Sequence, residues 1–226
     1  MAPDPRAAEL AREYERRFGP QAGYRRRVWA TLTRDVFQRY VPEDGTVLEI
    51  GCGWGEFINQ IRARARIGMD LNPQAGPRLD PGIRFLEQDC SAAWPLADNS
   101  LDVVFTSNFF EHLPDKATLT RTMKEALRCL RPGGRLVCLG PNIRYLPGAY
   151  WDFWDHYLPL TDRSLVEGLE LAGFTIERVW PRFLPYTMSQ QRTPPIWTLW
   201  LYLRLPIVWP ILGRQFLVIA AKPPRA

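Results

Sequence analysis

Gly51, Gly53 and Gly55 stand at alternate positions directly behind the apolar run Thr46-Val47-Leu48-Glu49-Ile50. A strand that ends in such a turn and passes into a helix leaves backbone N–H groups facing outward. They then lie at the carboxyl edge of a sheet, where open α/β folds bind ligands. Glycine allows positive φ and close approach of a ligand to the main chain. Glu49 and Cys52 belong to the same short stretch. Asp70 closes a second apolar run, 19 residues after Gly51, with Leu71 behind it. A carboxylate there can accept both hydroxyls of a ribose. Asp89 follows a third run, and its carboxylate could accept from an adenine amino group, with Cys90 beside it. Singly, each acid reads as a surface residue. Placed after successive strands of one sheet, the two point to an adenosyl ligand.

A nicotinamide dinucleotide calls for G-x-G-x-x-G, with the third glycine three positions after the second. Here position 56 is Glu. A negative side chain at the opening of a helix repels a pyrophosphate but suits a ligand that lacks one. S-adenosylmethionine has no phosphate and carries a positive sulfonium and a positive amine.

The stretch Val47-Leu48-Glu49-Ile50-Gly51-Cys52-Gly53-Trp54-Gly55 resembles motif I of the class I S-adenosylmethionine-dependent methyltransferases. Later segments keep that family's order: Ile67-Gly68-Met69-Asp70, Asp89-Cys90, Leu101-Asp102-Val103-Val104-Phe105, Phe110-Glu111-His112-Leu113 and Leu130-Arg131-Pro132-Gly133-Gly134. The resemblance spans about residues 46–180. It implies an α/β, three-layer Rossmann-like sandwich with a seven-stranded, mostly parallel sheet and an antiparallel last strand. It also implies S-adenosylmethionine as methyl donor, leaving as S-adenosylhomocysteine. Gly51 and Gly53 would border the methionine portion, Asp70 the ribose, Asp89 and the Cys90 backbone the adenine, and Asn108 the reacting end.

Methyl transfer from a sulfonium is an in-line displacement, so the protein mainly aligns donor and acceptor. An oxygen acceptor also needs a base. His112 follows Glu111 just after the fourth strand, and His156 follows Asp155 in an aromatic and acidic segment after the fifth. His156, Asp155 and His112 are therefore the acid–base candidates, against the plainer reading of an aromatic cluster packing its loop onto the core. Tyr145, Tyr150, Trp151 and Trp154 are the acceptor-contact candidates. No metal-ligand set is read: Cys52, Cys90, Cys129 and Cys138 form no C-x-x-C pair and lie far in sequence from both histidines. The exit of the fourth strand, Ser107-Asn108-Phe109-Phe110, lacks the prolines of base-amino methyltransferases, and no Pro-Cys motif is present. Nucleic acid accordingly ranks below a small-molecule acceptor.

These residues require positioning elements. Apolar runs at 46–50, 66–70, 82–88, 101–106, 135–139, 174–180 and 215–221 read as seven strands. Helical spacing covers 6–18, 24–41, 56–64, 115–130 and 161–172. In the second helix, Val28, Leu32, Val36 and Tyr40 form one apolar stripe. Residues 1–45 read as an N-terminal helical cap and 46–226 as the ligand-binding domain. An apolar insertion occupies about 182–213. Within it, residues 194–212 are rich in Trp, Leu and Pro. Its charge-free runs fall short of the roughly 20 residues that span a bilayer. Packed core, a lid over the acceptor, and a membrane-interface element remain open for it. The C-terminal pattern looks more loosely like stand-alone bacterial methyltransferases of cell-surface glycan or natural-product pathways.

The chain has 226 residues, 46% hydrophobic and 23% charged, as an ordinary globular protein does. Its net charge of +5 is too small to argue nucleic-acid binding alone. Nine arginines stand against five acids in the first 41 residues, densest at Arg25-Arg26-Arg27. Unpaired cysteine spacing and a charged N-terminus fit a reducing cytoplasm, with membrane association left open. The expected activity is methyl transfer to O or N of a glycan-like, lipid-linked or natural-product acceptor. The alternatives are an RNA or protein methyltransferase using the Arg-rich helices, and a non-catalytic binding module.

Overall fold

The structure, a computed structural model, describes residues 19–186 and 193–224. The helix expected over residues 6–18 lies outside the described residues. Helix α1 (Ala22–Asp35) buries Val28, Leu32 and the following Val36, while Tyr40 is half-buried in a 3-10 turn. The seven strands are β1 (Thr46–Ile50), β2 (Ala65–Asp70), β3 (Arg84–Glu87), β4 (Leu101–Ser107), β5 (Leu130–Pro141), β6 (Thr175–Leu184) and β7 (Gln215–Ala221). Between them run α2 (Lys116–Cys129), α3 (Asp162–Ala172), α4 (Ile196–Arg204) and the short α5 (Trp209–Leu212).

One sheet holds all seven strands in the order β3-β2-β1-β4-β5-β7-β6. The first five pair in parallel, and β7 runs antiparallel between β5 and β6. Strands β1, β4 and β7 are buried almost throughout, as strands covered on both faces must be. On one face, α2 and α3 pack Leu119, Met123, Ala126, Leu165 and Leu169 against Leu48, Val104, Leu136 and Val218. On the other, α1 packs Val28, Trp29 and Leu32 with Val47, Val103, Phe105 and Leu217. Trp29, Phe37, Phe57 and Phe105 interlock there, Phe57 stacking on Phe105 at 3.7 Å between ring centroids.

Local chemistry sets the ends. The Asp115 side chain caps α2 by accepting from the Thr118 amide, and Thr161 with Ser164 forms a reciprocal capping box on α3. Gly173, at φ +102°, closes α3 in the left-handed conformation. Several elements differ from the sequence reading: α1 stops at Asp35 rather than 41, β6 runs on to Leu184 rather than 180, and two more have a clear local cause. Residues 56–64 do not form a regular helix but a chain of turns. The Ile58 amide donates to the buried Glu49 carboxylate at 3.0 Å instead of to a carbonyl one turn back. Strand β5 starts at Leu130, not Arg135: Gly133, at φ +76°, carries the main chain through a register shift opposite Leu101 and Val103.

Candidate active site

The carboxyl ends of the central strands each deliver one expected residue. At the end of β1, Gly51 and Cys52 both donate their amides to the Met69 carbonyl, extending the β1–β2 pairing into the turn. Gly51, Gly53 and Gly55 all have positive φ (66°, 50° and 74°), which side-chain-bearing residues rarely adopt. Gly51 is needed for a second reason. A Cβ there would stand 2.3 Å from a ring carbon of Phe109. Phe109 was absent from the sequence-based site. Only the missing side chain at position 51 allows it to lie there.

Asp70, at the end of β2, is oriented by two main-chain donors. Gly53 donates to Oδ2 at 2.8 Å and Asn72 to Oδ1 at 2.9 Å. Burial pushes this carboxyl above its ordinary range, opposed by those amides and by the nearby His112. Leu71 continues the chain half-buried. Glu49 is buried, and its carboxyl is pushed well above the usual range by burial and then by Glu56 and Asp70, against the Ile58 amide. At the end of β3, Asp89 turns the chain by accepting from the Ser91 amide at 2.8 Å, and the Cys90 carbonyl accepts from the Trp94 indole. The thiols of Cys52 and Cys90 are buried core groups, raised above their ordinary range by burial. At the end of β4, Asn108 holds φ +47°, and its amide donates to the Leu139 carbonyl. Its buried Oδ1 has no hydrogen-bond partner among the described residues.

The acid–base candidates converge. His112 Nδ1 lies 3.0 Å from both the Asp155 carboxylate and the Asp155 carbonyl. Carbonyl oxygens only accept, so Nδ1 carries the proton and Nε2 is the basic nitrogen. Burial pushes the His112 pKa down, but the Asp155 hydrogen bond and the charges of Glu111 and Asp155 outweigh it, leaving it above its ordinary value. His156 is held in the same way, Nδ1 to the Tyr150 carbonyl at 2.8 Å, with its ring stacked on Phe153 and edge-on to His112. Glu111 is buried, and burial pushes its carboxyl up to about 7. The sequence reading placed Glu111 in a motif but gave it no role. The Glu111 carbonyl accepts from the Tyr157 and Leu158 amides and so ties the loop after β5 to the exit of β4. Glu111, His112 and His156 each bring a ligand-type atom within 4.8 Å of the others, the one such trio among the described residues.

The expected acceptor contacts divide. Trp151 and Trp154 are exposed, and Tyr145 is half-buried beneath the Arg182 guanidinium. Tyr150 is wholly enclosed and its hydroxyl donates to the Leu158 carbonyl at 2.6 Å, so it frames the loop. The Arg25-Arg26-Arg27 run also divides: Arg25 is buried against Glu56 at 2.8 Å, and only Arg26 and Arg27 face outward. That ion pair offsets the charge on Glu56, so the expected repulsion of a phosphate at this position is weaker than its sequence suggests.

The family described as "Methyltransferase domain" matches residues 48–138, which hold the glycine turn, Asp70, Asp89, Asn108 and His112. Over that stretch, less than half of the chain, the protein is similar to methyltransferases. The chain is 36% identical over 142 residues to a "probable" S-adenosylmethionine-dependent methyltransferase of Mycolicibacterium smegmatis, covering 58% of this chain and 52% of that one. It is 31% identical over 155 residues to the 2-methyl-6-phytyl-1,4-hydroquinone methyltransferase of Synechocystis, covering 59% and 47%. The chain thus spans about half the length of the curated relatives it matches. A solved S-adenosylmethionine-dependent methyltransferase from Archaeoglobus fulgidus shares the fold, with a TM-score of 0.65 and 22% identity, over 88% of this chain and 94% of that one. The residues gathered here fit S-adenosylmethionine: an aligned carboxylate at Asp70, a positive-φ glycine turn and a buried amide oxygen at Asn108 without a partner among the described residues.

Proposed function

We propose that this chain transfers a methyl group from S-adenosylmethionine to an oxygen or nitrogen of a small-molecule acceptor of glycan-like, lipid-linked or natural-product type. The observation that carries the reading is the meeting of two sets of residues at one sheet edge. Asp70, aligned by Gly53, ends β2, and His112, held by Asp155 through its Nδ1 proton, follows β4, the two strands that flank β1. Bound S-adenosylmethionine supplies an activated methyl on a positive sulfur. The residues of this chain hold, orient and deprotonate. Gly51, Cys52, Gly53 and Gly55 with Glu49 border the methionine portion, Asp70 and Leu71 the ribose, and Asp89 and Cys90 the adenine. Asn108 borders the reacting end. The Nε2 nitrogen of His112 takes the acceptor proton, Asp155 positions the ring, and His156 and Glu111 complete the polar wall. The exposed Trp151 and Trp154, with Tyr145, receive the acceptor.

Two observations favour a small acceptor over RNA or protein. Arg25 is spent on Glu56 inside the fold, which thins the basic patch that reading needs. One relative is named for a hydroquinone acceptor, a small molecule with a long apolar tail. Incubation with methyl-labelled S-adenosylmethionine tests the reading. The acceptors are a prenylated hydroquinone, a lipid-linked sugar and a structured RNA. Label should pass to a small molecule and fall about a hundredfold in His112→Ala. Label on the RNA alone would overturn the proposal.

A further inference from the structure

Helix α4 is apolar on both sides, yet only one side is covered. Ile196, Leu199, Tyr202 and Leu203 pack toward the core, and the Tyr202 hydroxyl donates to the Phe183 carbonyl. Trp197, Trp200, Leu201 and Arg204 are exposed. Their spacing of three, four and seven places them on one helical face. The chain beyond α4 also leaves Leu205, Ile207, Ile211 and Leu212 exposed, Ile207 by 81% and Ile211 by 66%. Isolated exposed apolar residues are ordinary. A helical face that carries two tryptophans and a leucine marks a contact surface.

The charges around this surface select what it meets. From Thr193 to the C-terminus the sequence holds no Asp or Glu. The Arg204 guanidinium lies 3.8 Å over the Trp200 ring and 3.7 Å from Asp35, at the edge of the apolar face. Arg27, exposed on α1, lines the same groove as Pro194, Pro195, Ile196 and Trp197. Arg26 is exposed too, but on a different side of α1, where its carbonyl accepts from Gln60. Tryptophan and arginine flanking an apolar face is the composition that rests at a lipid headgroup boundary. No described helix is long and apolar enough to cross a membrane, and α4, at nine residues, can only lie along one.

We infer that the exposed face of α4 and the segment to Leu212, flanked by Arg27 and Arg204, docks this protein on an anionic membrane surface. The aromatic and aliphatic side chains enter the headgroup region, and the arginines pair with lipid phosphates. Such docking sets the domain beside membrane-borne acceptors, but it stands without the methyltransferase reading, because it needs neither cofactor nor turnover.

Sedimentation of the full chain with lipid vesicles, without S-adenosylmethionine, tests it. The vesicles are phosphatidylcholine alone, or with about a third phosphatidylglycerol. Protein should co-sediment with the anionic vesicles, with a blue-shifted tryptophan emission. Binding should fall about tenfold in Trp197→Ser/Trp200→Ser/Ile207→Ser, and several-fold in Arg27→Glu or at high salt. Because these side chains face outward, unchanged circular dichroism and melting will show that the variants are folded. The inference is overturned if the protein stays in the supernatant with anionic vesicles. It is also overturned if both folded variants sediment as the parent does, or if light scattering shows the apolar face closed in a dimer that ignores vesicles.

Discussion

At the scale of single residues, the site depends on which atom holds which proton. Asp155 does not have to touch the acceptor to matter: its carboxylate sits 3.0 Å from His112 Nδ1 and raises the basicity of the ring. Asp155→Asn should therefore lower kcat by about ten- to a hundredfold with little change in KM for S-adenosylmethionine. The sign of the pH effect follows. The rate rises with pH as His112 loses its proton, and weakening the Asp155 partner lowers that pKa. The acidic limb of the profile should then move to lower pH while its plateau falls. A variant with lower kcat and an unmoved limb would make Asp155 a structural residue only. Individual thiols give a second check. Burial pushes Cys90 up to about 12 and Cys129 up to about 11. At pH 8 few thiolates exist, so native protein should react with a disulfide reagent only slowly, and quickly once denatured. Rapid native labelling of more than one cysteine would contradict this burial.

At the scale of elements, much was legible in the sequence, and the exceptions have physical causes. Strands β1 and β7 fall on the residues expected for them because each is a short apolar run bounded by turn-forming residues. Helix α3 falls within one residue of the expected span of 161–172, with Thr161 as its cap. The helix expected after the glycine turn was not visible as a chain of turns, because Glu49 takes the Ile58 amide only once the strand and turn have folded together. Likewise, no local pattern joins His112 to Asp155, 43 residues away. That pairing follows from the Tyr157 and Leu158 amides binding the Glu111 carbonyl. Phe109 had one usable signal, a large ring next to Asn108, with Gly51 leaving it space. Gly51→Ala puts a Cβ against that ring and forces a side chain into positive φ. It should cost about 2 kcal/mol or more in urea unfolding and abolish cofactor binding. In α2, Arg128 holds the Glu125 carboxyl below its usual range, the hydrogen bond to Arg128 being the main cause. A depressed carboxyl stabilises the fold above its unfolded pKa and loses that contribution as pH falls through the folded value. Glu125→Gln should thus cost about 1 kcal/mol near neutral pH and less near pH 4. An equal cost at both would remove the ion pair from the account.

At the scale of the whole molecule, one sheet edge and one flank divide the work. The carboxyl ends of β1 to β4 gather the glycine turn, Asp70, Asp89 and Asn108, while the loop after β5 folds back to bring Asp155 and His156 to His112. The flank formed by α1 and α4 carries the exposed apolar surface. The α/β alternation foretold the first arrangement, since parallel strands place their turns together. The second was written in the sequence only as an apolar insertion, because an outward face and an inward face have the same hydrophobicity until packing separates them. Isothermal titration with S-adenosylhomocysteine probes the shared sheet edge most directly. The parent chain should bind one equivalent, and Asp70→Ala should weaken binding at least about tenfold, as loss of a charged ribose contact implies. No heat of binding by the parent chain, or equal affinity in the folded Asp70→Ala variant, would contradict the site.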